Sequence, residues 1–316
     1  MGSSTGNDVT ALVVGAGAIG SFYGAILQRQ GVAVSVVCRS DYEVVVADGF
    51  RIKSPLGDLD YRPQVVRHAS EVAQAPDYLL LCVKVLDDVD RVALIRDAVG
   101  PDTTIVLIEN GVEIEGEIAE AFPGNTIISA LAFIAVSRSA PGVVEHHAYG
   151  HLVMGGYPRG VPETTERLVA LFEAGGVNCT LTDDVVTARW EKCVWNGPFN
   201  PASVAGGGLD TGAMLGHDEG EAMIRRAMAE VCAIAAACGH PQREGLIDDH
   251  IAGTRKMPPY KTSMALDFEN GREMEVEAIL GNTVRAARRE QVPAPTLEAL
   301  YGLLKMIQTA ARQAGR

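Results

Sequence analysis

The chain lacks the marks of several protein classes. Its 316 residues include six cysteines, at 38, 82, 179, 193, 232 and 238, and none forms a C-x-x-C pair or a metal-binding spacing. That argues against a disulfide framework or a zinc site, and the six read as reduced, mostly buried thiols of a cytoplasmic chain. No apolar run approaches the roughly 18 residues that a membrane span requires. Met1 to Asp8 is small and polar with no apolar h-region, so residues 1–8 read as a disordered leader and not as a signal peptide. Positive charge is scarce. Lys and Arg number 27 against 40 Asp and Glu, a net charge of −13, which argues against nonspecific nucleic-acid binding. There is no internal repeat and no low-complexity tract. What the chain does have is 47% hydrophobic residues, enough for a sizeable core in one large or two medium domains.

The most informative motif is Gly15-Ala16-Gly17-Ala18-Ile19-Gly20, directly after the apolar run Ala11-Leu12-Val13-Val14. This is G-x-G-x-x-G at a strand-to-helix turn. Gly15 allows the tight turn, Gly17 leaves room for a pyrophosphate, and Gly20 lets the helix pack on the strand with its N-terminus facing the anion. A second apolar strand, Val32 to Val37, ends at Cys38-Arg39-Ser40. An NAD site places an acidic residue about 20 residues beyond the glycines to hold the ribose 2′-hydroxyl. Arg39 stands there instead, and a guanidinium suits a 2′-phosphate, so the expected cofactor is NADP(H). Asp41 is the competing acidic residue; it reads as the N-cap of a helix that starts at Tyr42.

The first half alternates strands and helical stretches. Tyr78 to Val83, Thr104 to Ile108 and Thr126 to Val136 are continuous apolar runs, the pattern of strands buried on both faces of a parallel sheet. Asp48-Gly49 to Asp60 reads as a small hairpin insertion, and Val143 to Met154 as further strand after the turn at Pro141-Gly142. Near Thr182-Asp183 the character changes to helix. Helices are expected over Asp184 to Val204, Asp218 to Cys238, Thr262 to Phe268, Arg272 to about Glu290, and Thr296 to about Gln313. The fold class is therefore α/β: a Rossmann-type doubly wound parallel sheet over 9–183, then an all-helical domain over 184–316. An active site is expected in the cleft between them.

Within the second half, Lys192, Asn196 and Asn200 lie at i, i+4 and i+8, a polar stripe on one helical face among Trp190, Val194, Trp195 and Phe199. A lysine with two amides suits an oxyanion and a carboxylate. An unperturbed lysine titrates near ~10.4, so it is charged at neutral pH and able to donate a proton. A solvated helix face is the simpler explanation of such spacing. Pro198 inside this helix is expected to kink it. Lys84 and Asn110-Gly111 end two of the parallel strands, where ligands of this fold bind. Ser263 opens a short helix and reads as its cap. Glu275 falls in the following helix between Glu273 and Glu277, and nothing in the spacing singles it out. His146, His147 and His151 read as structural or exposed, with no metal-ligand pattern.

With these residues in hand, the sequence resembles the 2-dehydropantoate 2-reductase (ketopantoate reductase) family from Thr10 to Gln313. The likeness rests on GAGAIG, Cys38-Arg39, Ser54-Pro55-Leu56-Gly57-Asp58, Lys84, Asn110-Gly111, Trp190-x-Lys192-x3-Asn196-x3-Asn200-Pro201, Ser263-Met264-x2-Asp267, Gly271-x3-Glu275 and Gly281. The Lys/Asn/Asn stretch followed by Ser-Met and Glu is the specific part. The resemblance implies reduction of ketopantoate with NADPH in pantothenate synthesis. It makes Lys192 the general acid and gives Asn196, Asn200 and Ser263 the substrate's carboxylate and hydroxyl. It puts Asn110 on both the nicotinamide and the substrate, and Lys84 and Glu275 on the cofactor, with Glu275 also near Lys192. One departure is Tyr260, where family members often carry Asn.

The expected activity is thus an NADPH-dependent 2-oxoacid reductase acting on a small-molecule substrate, with no metal, nucleic-acid or membrane partner, and with a helical domain able to pair as a homodimer. Two alternatives remain: a reductase of a different 2-oxoacid, and a noncatalytic NADP-binding sensor. The sensor would need the glycines but not Lys192.

Overall fold

The computed structural model describes residues 9–313, so the leader expected over residues 1–8 lies outside the described residues. The chain divides into two compact units. One takes the chain up to Lys84, Asp90–Glu109 and Glu115–Val185. The other takes Val85–Val89, Asn110–Ile114 and everything from Val186. Two short loops from the first half therefore fold with the helical unit, which the sequence pattern does not signal.

The first unit runs β1 (Thr10–Val14), α1 (Ala18–Arg29), β2 (Ala33–Val37), α2 (Tyr42–Asp48), β3 (Phe50–Lys53), β4 (Leu59–Tyr61), β5 (Gln64–Val66) and β6 (Tyr78–Leu81). It continues with α3 (Arg91–Ile95), β7 (Thr104–Ile108), α4 (Gly116–Ala121), β8 (Ile127–Ala140), β9 (Val143–Gly156), α5 (Glu163–Ala174) and β10 (Cys179–Leu181). Its sheet has the order β4-β3-β9-β8-β7-β6-β1-β2-β5, with β10 on β9. The strands from β8 through β7, β6 and β1 to β2 and β5 are all parallel, as expected, whereas β8–β9 and β3–β4 are antiparallel hairpins. The sheet is thus mixed and dominated by parallel pairs. The expected 48–60 hairpin forms, and its strand β3 also pairs in parallel with β9.

The apolar runs have their physical reason in two cores, one on each face of the sheet. Val13 of β1 packs with Phe22, Tyr23, Ile26 and Phe172, while its neighbours Leu12 and Val14 pack with Leu81, Ile95, Leu107 and Ile118 on the other side. Strand β1 sits between β2 and β6, so the chain order reverses at its carboxyl end. That is the switch point where ligands of open α/β sheets bind. In register, Val14 pairs with both Val37 and Leu81, and Leu81 pairs with Leu107. Cys38-Arg39 and Lys84 thus follow strands that end level with the glycine turn.

The second unit holds α6 (Val185–Ala205), α7 (Thr211–Leu215), α8 (Asp218–Ala237), α9 (Leu246–Lys256), α10 (Ser263–Glu269), α11 (Asn282–Arg289) and α12 (Pro295–Gln313). Trp190, Val194 and Phe199 of α6 share its core with Met228, Val231, Ile234, Leu280 and Leu297. Helix α6 stays helical through Pro198 and Pro201. Helices α7 and α9 have no counterpart in the pattern reading. The long helix expected from Arg272 does not begin there. Arg272 is tied back to Asp267 by its backbone N–H at 2.8 Å and its guanidinium at 2.9 Å, and Val276 N–H bonds to Met274 at 2.8 Å. Helix resumes only at Val276, first as a π-turn over Glu277–Gly281 and then as α11.

Candidate active site

The glycine turn is shaped by sterics at each position. Gly15 has φ +106°, and a Cβ there would lie 2.8 Å from the Cys82 carbonyl, so both conformation and space require glycine. A Cβ on Gly20 would overlap the Gly15 carbonyl oxygen and approach Val13, which fixes the close seating of α1 on β1. A Cβ on Gly17 would meet nothing within 4 Å. Its side is open, and α1, which starts on Gly17, has no side chain capping its first N–H groups. An open approach beside uncapped amides at a helix N-terminus fits a pyrophosphate. Ala16 and Ile19 pack partly against the core on the α1 face, as does Ala18.

Past β2, Arg39 is exposed, with no ion-pair partner among the described residues. Asp41 occupies the N-cap position of α2, but its carboxylate does not cap the helix. Instead this buried side chain takes an ion pair from Arg138 at 3.2 Å and a hydrogen bond from the Gly142 N–H at 3.1 Å. The reading of Asp41 as a side-chain cap is corrected: its carboxylate closes the β8–β9 turn. The same contacts occupy the one acidic group that competed with Arg39.

Inside the helical unit three sequence-distant groups form a chain. Lys192 Nζ donates to Asn110 Oδ1 at 3.0 Å, and Asn110 Nδ2 donates to Glu275 Oε2 at 3.2 Å. The other Glu275 oxygen accepts from the Val85 N–H at 3.2 Å. Glu275 is buried, and it lies in the non-helical stretch before the π-turn, not in a helix as expected. The tie of Arg272 to Asp267 is the reason: it holds the backbone out of helix, and the carboxylate reaches the two loops that fold with this unit.

The Asn110 loop is anchored along its length. Gly111 has φ +105°, and a Cβ there would stand 2.5 Å from the Ala278 oxygen. The Gly111 carbonyl accepts from Arg189 at 3.0 Å, Val112 bonds Ala278 and Asn282, and Glu113 pairs with Arg289. Lys192 differs from the unperturbed lysine expected of it. Burial, then the Arg189 charge, lower its pKa to about 7, and the Glu275 carboxylate works in the opposite direction. A group poised near neutrality is a better proton donor than an ordinary lysine.

Asn196 and Asn200 follow Lys192 on the same face of α6. Asn200 is 1% exposed, and its Oδ1 has no hydrogen-bond partner among the described residues. Trp195 stacks on Phe199, and Tyr260 stacks on Trp195 at 6.0 Å between ring centroids, which brings the phenol to this part of the helix. Ser263 is exposed at the start of α10, but the cap is its neighbour Thr262, whose side chain accepts from the Ala265 N–H. Lys84 is half-buried beyond β6. His146 is structural: Nδ1 lies 2.8 Å from Ser54 Oγ, and the ring packs on Phe22. The sequence reading missed Arg189 and the Val85 N–H. The i, i+3 spacing of Arg189 to Lys192 was the one available signal.

Two family models match in chain order. The model described as ketopantoate reductase PanE/ApbA matches residues 11–159, and the one described as its C-terminal part matches residues 184–308. A 2-dehydropantoate 2-reductase of Nostoc sp. is 32% identical over 308 residues, covering 95% of this chain and 96% of the relative. Among solved structures, the 2-dehydropantoate 2-reductase of Methylococcus capsulatus is 54% identical with a TM-score of 0.91, covering 96% of this chain and 98% of that one. The Geobacter metallireducens 2-dehydropantoate 2-reductase is 34% identical with a TM-score of 0.89, covering 94% and 99%.

Proposed function

The chain belongs to the ketopantoate reductase family of oxidoreductases, and from that premise we propose that it reduces 2-dehydropantoate (ketopantoate) to pantoate with NADPH, using Lys192 as the general acid. The observation that carries the reading is the Lys192–Asn110–Glu275 chain. A solvated lysine on a helix face would have neither this hydrogen bonding nor a pKa drawn down to about 7. A noncatalytic sensor would have no use for either.

The glycine turn and the α1 N-terminus would hold the pyrophosphate, Arg39 the 2′-phosphate, and Lys84, Asn110 and Glu275 the nicotinamide half. When bound, NADPH supplies the hydride that reaches the carbonyl carbon. As the carbonyl π pair moves onto oxygen, Lys192 gives its proton to that oxygen, and the neutral amine regains a proton from solvent. Asn110, held by Glu275, aims the ammonium. Asn196, Asn200 and Ser263 would bind the carboxylate and the far hydroxyl. The unpartnered Asn200 oxygen supports a ligand that brings a hydroxyl donor, since a buried amide acceptor without a bond is costly.

A second reading, a reductase of another 2-oxoacid, draws on Tyr260. Its ring takes more room than an amide and offers fewer hydrogen bonds. Steady-state NADPH oxidation with a panel of 2-oxoacids tests both readings. The first requires ketopantoate to have the highest kcat/KM, the second requires another member to lead, and failure of the whole panel sinks both.

A further inference from the structure

Arg189 has no place in the reading above, yet it is 2% exposed and its guanidinium donates to the Gly111 carbonyl at 3.0 Å. It stands three residues before Lys192 on α6, so the two share a helical face one turn apart. We infer that Arg189 is a positioning residue for the reduction: it locks the Asn110–Gly111 turn against Lys192 and keeps a fixed positive charge beside the ammonium.

Both halves follow from geometry. The Gly111 carbonyl belongs to the Gly111–Val112 peptide, one peptide beyond Asn110, so a bond to it holds the turn that carries the residue accepting from Lys192 Nζ at 3.0 Å. Gly111 itself is wedged on Ala278 with φ +105°, and Val112 is bonded to the same residue. The turn is thereby held on one side by the π-turn segment and on the other by Arg189. The guanidinium carries a delocalised positive charge, and a like charge one helical turn away disfavours the ionised form of the lysine. Arg189 on its own helix lowers the Lys192 pKa and Glu275, on the segment before the π-turn, raises it, while the loop after β7 brings the neutral amide of Asn110 to the ammonium. Arg189 and Glu275 thus pull the lysine in opposite directions, and Arg189 is the one that favours proton release.

The inference rests on Lys192 as proton donor, so the test separates the two. The Lys192 side chain is titrated by NMR in lysine-labelled protein, assigned with Lys192→Ala, beside the pH profile of kcat/KM for ketopantoate reduction. The comparison covers wild type, Arg189→Gln and Arg189→Lys. In Arg189→Gln the Lys192 titration is expected to move upward by roughly one pH unit, and the basic limb of the profile to move with it. Arg189→Lys keeps the charge but not the planar fork, so the Lys192 titration is expected to stay near wild type while kcat falls. A resonance that moves without the limb leaves the effect of the Arg189 charge on Lys192 standing but removes Lys192 as the donor, and with it the role of Arg189 in the reduction. A Lys192 titration unmoved in folded Arg189→Gln overturns the inference. Should that variant not fold, an upward shift in Arg189→Lys contradicts the role of charge, and wild-type kcat there contradicts the role of the fork.

Discussion

Lys192 and Asn110 are 82 positions apart in sequence, and their side chains meet at 3.0 Å in a hydrogen bond that Glu275 backs from the far side of the amide. The amide gives the lysine a hydrogen-bonded direction, and the carboxylate behind it tempers a pKa that burial has drawn down. Acidity, aim and burial of the ammonium therefore depend on one another, and they can be perturbed one at a time.

The first perturbation is pH. With Lys192 as the proposed general acid, reduction requires its protonated form, so kcat/KM is expected to be level below about 7 and to fall tenfold per pH unit above it. On the same proposal, oxidation of the 2-hydroxy acid requires the neutral amine and is expected to rise through the same pH. The Glu275 carboxylate raises the lysine's pKa, so Glu275→Gln is expected to shift the basic limb to lower pH. A shift to higher pH would contradict the electrostatic account.

The second concerns cofactor choice. Arg39 is exposed and available, while Asp41 is engaged by Arg138 and the Gly142 N–H. NADPH is expected to bind more tightly than NADH, and Arg39→Ala to remove a charge-assisted contact of about 1.5–3 kcal/mol, which narrows that gap. Binding titrations with both cofactors check it. Equal affinities in the wild type would return the ribose to an acidic residue.

Two glycine substitutions are expected to part company. Gly17→Ala places a methyl in open space at φ −76°, so thermal stability should hold while NADPH affinity drops about tenfold. Gly20→Ala drives a methyl into the Gly15 carbonyl and Val13, an overpacking that typically costs about 1–3 kcal/mol and lowers Tm whether or not cofactor is present. Thermal melts with and without NADPH separate the two.

Substitution at Tyr260 tests the proposed substrate. Ketopantoate carries a far hydroxyl that ketoisovalerate lacks, and a site built to hydrogen-bond it rejects the analogue. The wild type is expected to prefer ketopantoate in kcat/KM. If it shows no preference and Tyr260→Asn creates one, the natural substrate is a different 2-oxoacid.

What the sequence made legible follows period and sterics. The strands around β1 were readable because a sheet covered on both faces demands unbroken apolar runs, and α6 and α8 because their apolar residues recur at helical spacing. Arg272–Glu275 was not readable as a break, since the ties of Arg272 to Asp267 and of Glu275 to Val85 and Asn110 are tertiary and override local helix preference. The same holds for Asp41, whose capping pattern is local but whose partners Arg138 and Gly142 lie about a hundred residues on. For the site, spacing placed Lys192, Asn196 and Asn200 on one face. Glu275 was tied to Lys192 only through family resemblance, and Asn110 was read as a strand-end ligand with no tie to Lys192, because no local pattern joins the three. The lowered pKa of Lys192 was invisible for the same reason: burial and Arg189 act through packing.

The most direct test is ketopantoate-dependent NADPH oxidation by wild type and Lys192→Ala, with NADPH binding measured on both. The wild type is expected to turn over. Lys192→Ala is expected to bind NADPH as the wild type does and to lose roughly 10²–10⁴-fold in kcat, the size of a general acid's contribution. A Lys192→Ala protein that keeps most of its turnover would contradict the account.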